Sequence, residues 1–366
     1  MNRLTSEDVS GVASWVTVDV KSIEDNLRLI ASFAKPTRGV LAVVKADGYG
    51  IGAQKLVSII DNPQVWGYAV ATVGEGAILR SHSVLKPILV LRPASADDLS
   101  ACKDYNLVPV VDNASLLKRF QLPFHLEIDT GMGRSGVRWD DEESLKIFSQ
   151  CAPEGVFTHF HSAESDPNVS EEQFCRFNSA LAYFNVKPQY IHYSNSAGSM
   201  LPFPSADLIR PGIFLLGVGS GIEGVSVRPK PVISLKARII SVRTVSKGDS
   251  VSYDASWVAM KDSRVATLGI GYADGIPRSL SNNFSVLVGG RRCPIVGKVT
   301  MDMTMIDVTD SFMDVKLGQI ATIYGLDEFG NGICVEEVAK AAGTIPYELF
   351  TRLGQRLPRI FVNQVL

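Results

Sequence analysis

From about residue 39 to residue 215 the chain repeats one pattern, an uninterrupted apolar run followed by a stretch with helical spacing. The runs are 39–45 (GVLAVVK), 66–72 (WGYAVAT), 86–92 (KPILVLR), 107–111 (LVPVV), 124–129 (FHLEID), 155–160 (GVFTHF), 188–193 (PQYIHY) and 207–210 with its continuation. Helical stretches between them include 74–80, 114–119, 142–151 and 171–184. Continuous rather than alternating apolar strands imply a parallel sheet buried on both faces. Eight such units predict a closed (β/α)8 barrel, with an open doubly wound sheet as the alternative.

After Pro229 the pattern changes. Runs at 233–245, 264–270, 284–289, 304–308 and 319–325 are separated by Gly, Asp, Ser and Asn, and helical spacing returns only at 335–342 and 347–353. This predicts a mostly antiparallel β domain. The boundary falls in VRPKPV, giving a barrel domain over 1–229 and a β-rich domain over 230–366. The early run WVTVDV (15–20) precedes the barrel pattern and can pair with the second domain instead.

The 366 residues are comfortable for two domains, and a core of that size needs no disulfides or metal. A net charge of -2 leaves no electrostatic footprint for nucleic acid or an anionic membrane. No apolar segment approaches the roughly 20 residues of a membrane helix, and residues 1–20 lack the basic start and apolar run of a secretion signal. Five cysteines, an odd number without CxxC spacing, argue against a disulfide framework or a zinc site and for a reducing cytoplasm.

A barrel's chemistry sits at the carboxyl ends of its strands. Those ends carry Lys45, Glu127 with Asp129 and Arg134, His159, Asn195 with Ser196, and Arg210. Lys45 closes an apolar run. Its stem can snorkel to the rim; partly buried, its amine would have a lowered pKa and could attack a carbonyl group. In Arg210-Pro211-Gly212-Ile213 the backbone N–H groups of Gly212 and Ile213 could cradle a phosphate, or the segment is an ordinary turn. In Asp129-Thr130-Gly131-Met132-Gly133-Arg134-Ser135-Gly136 the guanidinium suits a bidentate carboxylate. GMGRSG matches a dinucleotide fingerprint only loosely, without the acidic partner that motif needs. His159 alone reads as a core histidine.

AVVKADGYGIGA resembles the cofactor-lysine motif of alanine racemases, typically AVVKANAYGHG. The resemblance continues in family order through DTGMGRSGV, VFTHF, HYSNSAG, LIRPGI, GYADGIPR, VGKVTMDM and RLPRIF, from Val44 to Phe361. It implies a barrel plus β-domain enzyme, working as a homodimer, that interconverts L- and D-alanine with pyridoxal phosphate and supplies D-alanine for cell-wall synthesis. By motif matching, Lys45 would carry the cofactor, and Tyr49, Ser196, Gly212 and Ile213 would hold its phosphate. Arg210 would face the pyridine nitrogen, donating without protonating it. Lys45 and Tyr272 would be the two bases on opposite faces of the α-carbon. A free tyrosine, with a pKa of about 10, is a poor base at neutral pH, so His159 and Arg210 would assist it. Arg134 and Met301 would bind substrate, with Tyr272 and Met301 supplied by the partner subunit and Asp302 supporting.

Three positions depart from the family pattern. Glu127 stands where many members carry a carbamylated lysine, and a carboxylate there could orient Arg134 directly. Gln355 replaces a frequent tyrosine and Thr300 a frequent cysteine, which leaves substrate preference open. A serine or broad-specificity racemase, a decarboxylase on the same barrel and a non-catalytic pyridoxal-phosphate carrier are the competing readings.

Overall fold

The computed structural model describes residues 11–33, 39–118, 121–310 and 314–363; Arg119, the end of one expected helix, lies outside them. The chain forms two compact units, one of Glu24–Leu215 with Gly219–Pro229, the other of the segment up to Ile23, Leu216–Val218 and the chain from Lys230 onward.

In the first unit eight strands lie side by side in chain order, all parallel: Gly39–Val43, Val65–Val70, Ile88–Pro93, Val108–Val110, His125–Asp129, Gly155–Phe157, Tyr190–His192 and Leu208–Ile209. The last returns to the first, with Leu208 opposite Gly39 and Ile209 opposite Val40. A parallel bridge between Asn195 and Arg210 joins the remaining neighbours. The ring is the expected (β/α)8 barrel and not an open doubly wound sheet; closure leaves no strand edge for another chain to pair with.

Several strands stop short of their apolar runs: 39–45 ends at Val43, 155–160 at Phe157 and 188–193 at His192. Val44, Phe160 and Tyr193 are buried all the same. The barrel mouth covers its own loops, and apolarity reports burial, not hydrogen-bond pairing. The expected helix 171–184 runs instead over Pro167–Leu181, because the Asp166 carboxylate accepts from Asn168 N and Val169 N with Pro167 in the first turn.

The second unit is built on the 13-residue strand Ile233–Val245. Its early half pairs antiparallel with Ser14–Asp19 and with Ile320–Leu326, and its later half with Ser263–Leu268. Ser14–Asp19 thus belongs to this sheet, and it also runs parallel to Arg359–Val362. Thr304–Asp307, Ser285–Val288 and Arg291–Pro294 extend the antiparallel pairing. Burial alternates from Ile233 to Ile239, so one face of the spine strand packs inward. Helices Val335–Ala342 and Pro346–Thr351 follow. Among the described residues no helix is long and apolar enough to cross a membrane.

Candidate active site

Lys45 lies just beyond the first barrel strand, and four left-handed residues follow it: Ala46, Asp47, Gly48 and Tyr49, with φ of 52°, 53°, 62° and 56°. They form one left-handed turn, closed by Gly48 N to Val44 O and Gly50 N to Ala46 O, both 2.9 Å. Such a conformation costs roughly 1–2 kcal/mol for each non-glycine residue, so the surroundings must enforce it. Asp47 Oδ1 accepts from Ala53 N at 2.8 Å, and Glu75 Oε1 accepts from Ala46 N at 2.7 Å. Burial, with the charge of Arg134 second, lowers the pKa of the Lys45 amine. More of it is therefore in the nucleophilic, uncharged form than for an exposed lysine.

Tyr49 ends that turn. A methyl group placed on Gly212 would lie 2.2 Å from the Tyr49 hydroxyl oxygen, so only glycine fits there. Gly212 N donates to Ser196 Oγ at 3.2 Å. Two hydroxyls and a backbone N–H from three different loops thus converge, with Ile213 opening a short 3-10 helix beside them. The first strand is fastened to this corner by Val43 N to Pro211 O at 2.8 Å.

Arg210 is buried. Its Nη1 meets His192 Nδ1 at 3.0 Å, its Nη2 donates to Thr158 O at 2.8 Å and approaches His159 Nδ1 at 3.4 Å, and its plane lies over Phe157. Burial lowers its pKa to about 10, which leaves it charged at neutral pH. A guanidinium only donates. His192 Nδ1 must therefore accept, which puts its proton on Nε2; that N–H donates to His125 Nδ1 at 2.9 Å. His125 is then protonated on Nε2 as well, and this nitrogen faces Glu154 Oε2 across 4.0 Å. Burial pushes His125 down to about 3 and His192 well below its ordinary value, as neutral rings in one ordered chain require. His159 is likewise held down to about 3, by burial first and Arg210 second.

Arg134 Nη2 donates to Glu127 Oε1 at 3.3 Å, and Ser135 Oγ to Glu127 Oε2 at 2.6 Å. Burial raises the Glu127 pKa, opposed by the Ser135 hydrogen bond and the Arg134 charge. Arg134 itself is half exposed and can reach a ligand. Asp129 shapes this loop: its Oδ1 accepts from Gly131 N and Gly133 N, both 3.0 Å. Asn195 is spent in the same way, donating to Phe160 O and accepting from Gly198 N.

Tyr272 and Met301 lie together in the second unit. Tyr272 N donates to Thr300 O and Ala273 N to Met301 O, both 3.0 Å. A side chain on Gly271 would meet Thr300 O at 2.3 Å and Met301 O at 2.4 Å, so the two loops close only over glycine. Arg356 clamps both, with Nε on Asp274 Oδ1 at 3.0 Å and Nη1 on Asp302 Oδ1 at 2.8 Å, while Asp274 Oδ2 accepts from Gly271 N. Thr300 Oγ1 donates to Met303 O, and Gln355 is exposed.

Two family models match, the alanine racemase N-terminal domain over residues 18–220 and the alanine racemase C-terminal domain over 232–361. The chain belongs to the alanine racemase family. An alanine racemase of Geobacter sulfurreducens is 36% identical, over 94% of this chain and 96% of its own. The structure of alanine racemase from Bacillus anthracis with bound L-Ala-P superposes with a TM-score of 0.88 at 31% identity, covering 96% of this chain and 95% of that one. Alanine racemase from Bartonella henselae with covalently bound pyridoxal phosphate superposes with a TM-score of 0.86 at 28% identity, covering 96% and 100%.

Within this alanine racemase fold, sequence reasoning passed over Glu75, His125, His192 and Arg356. Thr72-x-x-Glu75 is a capping-box signal, though nothing in it announces the bond to Ala46. His125 shares a strand face with Glu127 by period two, which was a usable sign of an inward-pointing polar group.

Proposed function

We propose that the chain racemises alanine with pyridoxal phosphate bound at the barrel mouth. The observation that carries this reading is the corner where Tyr49 Oη, Ser196 Oγ and Gly212 N converge beside the Lys45 turn. Hydroxyls and a backbone N–H suit a phosphate dianion, and an amine of lowered pKa suits an aldehyde. Bound there, pyridoxal phosphate supplies the electron withdrawal that acidifies the α-carbon of an attached amino acid.

The residues divide the remaining work. Lys45 holds the cofactor and then moves the α-proton on the D face. Tyr272 from a second copy moves it on the L face. Arg210, which can only donate, would face the ring nitrogen of the cofactor without protonating it, and this would moderate the electron withdrawal and restrain side reactions. His159, neutral and with Nδ1 turned to Arg210, has its Nε2–H free to meet the tyrosine. Arg134, steadied by Glu127, binds the substrate carboxylate together with the Met301 backbone, and Ile213 N adds to the phosphate corner.

A homodimer is part of this reading, supported by two large side chains exposed in the single chain, Tyr272 at 43% and Met301 at 53%. Five free cysteines fit a reducing cytoplasm.

The test is chiral assay of the purified chain with pyridoxal phosphate, offering L-alanine and L-serine side by side. Alanine turns over faster on this reading, Lys45→Ala loses the covalent cofactor, and Tyr272→Phe keeps it but loses racemisation. Faster turnover of serine, or carbon dioxide release, would overturn it.

A further inference from the structure

The left-handed turn after Lys45 needs an external clamp, and one carboxylate provides it. Glu75 is the third residue of the helix Val73–Ser81 and completes a capping box: Glu75 N donates to Thr72 Oγ1 at 3.3 Å, and Thr72 N to Glu75 Oε2 at 3.1 Å. A capping box asks no more of its glutamate. Here Oε2 also accepts from Ala71 N at 2.7 Å, and Oε1 reaches 29 positions back in the chain to Ala46 N, also at 2.7 Å.

The Ala46 amide belongs to the peptide that leaves Lys45. The turn's own hydrogen bonds begin at Gly48 N and Gly50 N, so the turn does not satisfy the Ala46 N–H. With that peptide plane held, the backbone of Lys45 is fixed on its carboxyl side, while Val44 N to Ala69 O at 2.9 Å anchors the residue before it. Ala69 and Ala71 flank the end of one strand, Val65–Val70, so both anchors come from the same rigid piece of barrel.

We propose that Glu75 is a positioning residue for Lys45: by holding the strained peptide after the lysine it sets the geometry in which the amine meets the substrate's α-carbon. The inference rests on Lys45 acting as the D-face base. Its charge has a second effect of known sign. Glu75 raises the Lys45 pKa against the lowering by burial, Arg134 and Arg92. Removing the charge therefore makes the amine titrate at lower pH.

Three variants separate this role from helix capping. Glu75→Gln removes the charge and puts an NH2 against one of the backbone N–H groups. Glu75→Asp keeps the charge and shortens the reach. Thr72→Ala weakens the same capping box without touching the Ala46 bond. The first readout uses the protein without cofactor: the pH dependence of acetic-anhydride labelling at Lys45, followed by peptide mass spectrometry. The midpoint moves to lower pH in Glu75→Gln and stays near wild type in Glu75→Asp and Thr72→Ala.

The second readout is the isotope effect with α-deuterated alanine in the cofactor-loaded protein. Enantiomers have equal free energy, so kcat/KM falls by the same factor in both directions, roughly 10- to 100-fold for a misplaced base. The isotope effects do not move together. In Glu75→Gln and Glu75→Asp the effect on D-alanine rises and that on L-alanine shrinks, because the Lys45 step has become limiting; Thr72→Ala leaves both near wild type. If Glu75→Gln does not fold, Glu75→Asp carries the isotope test. A wild-type chain that fails to racemise would sink the functional reading, and the labelling would still report on the Glu75–Lys45 link. Unmoved labelling in Glu75→Gln, or isotope effects in the glutamate variants that match Thr72→Ala, would overturn the role of Glu75.

Discussion

Arg210 Nη1 lies 3.0 Å from His192 Nδ1, and since the arginine can only donate, this one contact sets the tautomers of His192 and of His125 behind it. Both histidine rings are buried, with a defined direction for each proton. Replacing His192 by Ala leaves Arg210 Nη1 and His125 Nδ1 without their present partner in the barrel interior, although Arg210 Nη2 keeps Thr158 O. The expected loss is on the order of 1–3 kcal/mol for each buried group left unpaired, read as a lower urea midpoint, together with weaker cofactor retention. A variant as stable as wild type would show that the chain carries no weight.

The same histidines make the fold acid-sensitive. His125 and His159 are held down to about 3 and His192 well below its ordinary value. In the unfolded chain each returns to roughly 6.5. Between those limits the unfolded chain binds more protons, so stability is full above about pH 6.5 and is lost as pH falls below it. Urea midpoints measured from about pH 7.5 down to pH 5 should drop steadily, with unfolding taking up more protons at each step. A flat profile would mean that these rings are protonated in the folded chain.

Part of this arrangement is legible in the sequence. Lys45 and Arg210 stand out because charged residues ending apolar runs need a reason. Eight runs in order favour a barrel, with the open doubly wound sheet excluded only by the pairing of the last strand with the first. What stayed hidden is what sequence distance conceals: the Glu75 bond to Ala46, and the Arg356 clamp on Asp274 and Asp302. The left-handed turn was hidden too, because Ala46 and Asp47 have no local preference for it and adopt it only where the barrel insists.

Glu127→Gln keeps the shape of the side chain and removes its charge. Arg134 is 51% exposed and its contact is 3.3 Å, so water screens much of the interaction. The alanine KM should rise roughly five- to tenfold, with a smaller change in kcat, because the loss falls on carboxylate binding. An unchanged KM would remove Glu127 from substrate binding.

Two glycine substitutions test the cofactor corner and the tyrosine loop independently. Gly212→Ala puts a methyl group against the Tyr49 hydroxyl and should weaken cofactor binding, seen as a raised Kd by absorbance titration. Gly271→Ala drives a methyl group into the carbonyl oxygens of Thr300 and Met301. That variant should bind cofactor normally and lose activity. The reverse pattern would mean that the two loops have been assigned the wrong tasks.

The most direct measurement mixes two inactive proteins. Lys45→Ala and Tyr272→Phe are purified separately, dissociated, combined in equal amounts and allowed to re-pair before assay. If lysine and phenol meet across subunits, half the dimers are mixed and each holds one intact site, so racemisation returns to about a quarter of wild type. If both groups act within one chain, every site in the mixture is broken, and activity stays at the level of the separate variants.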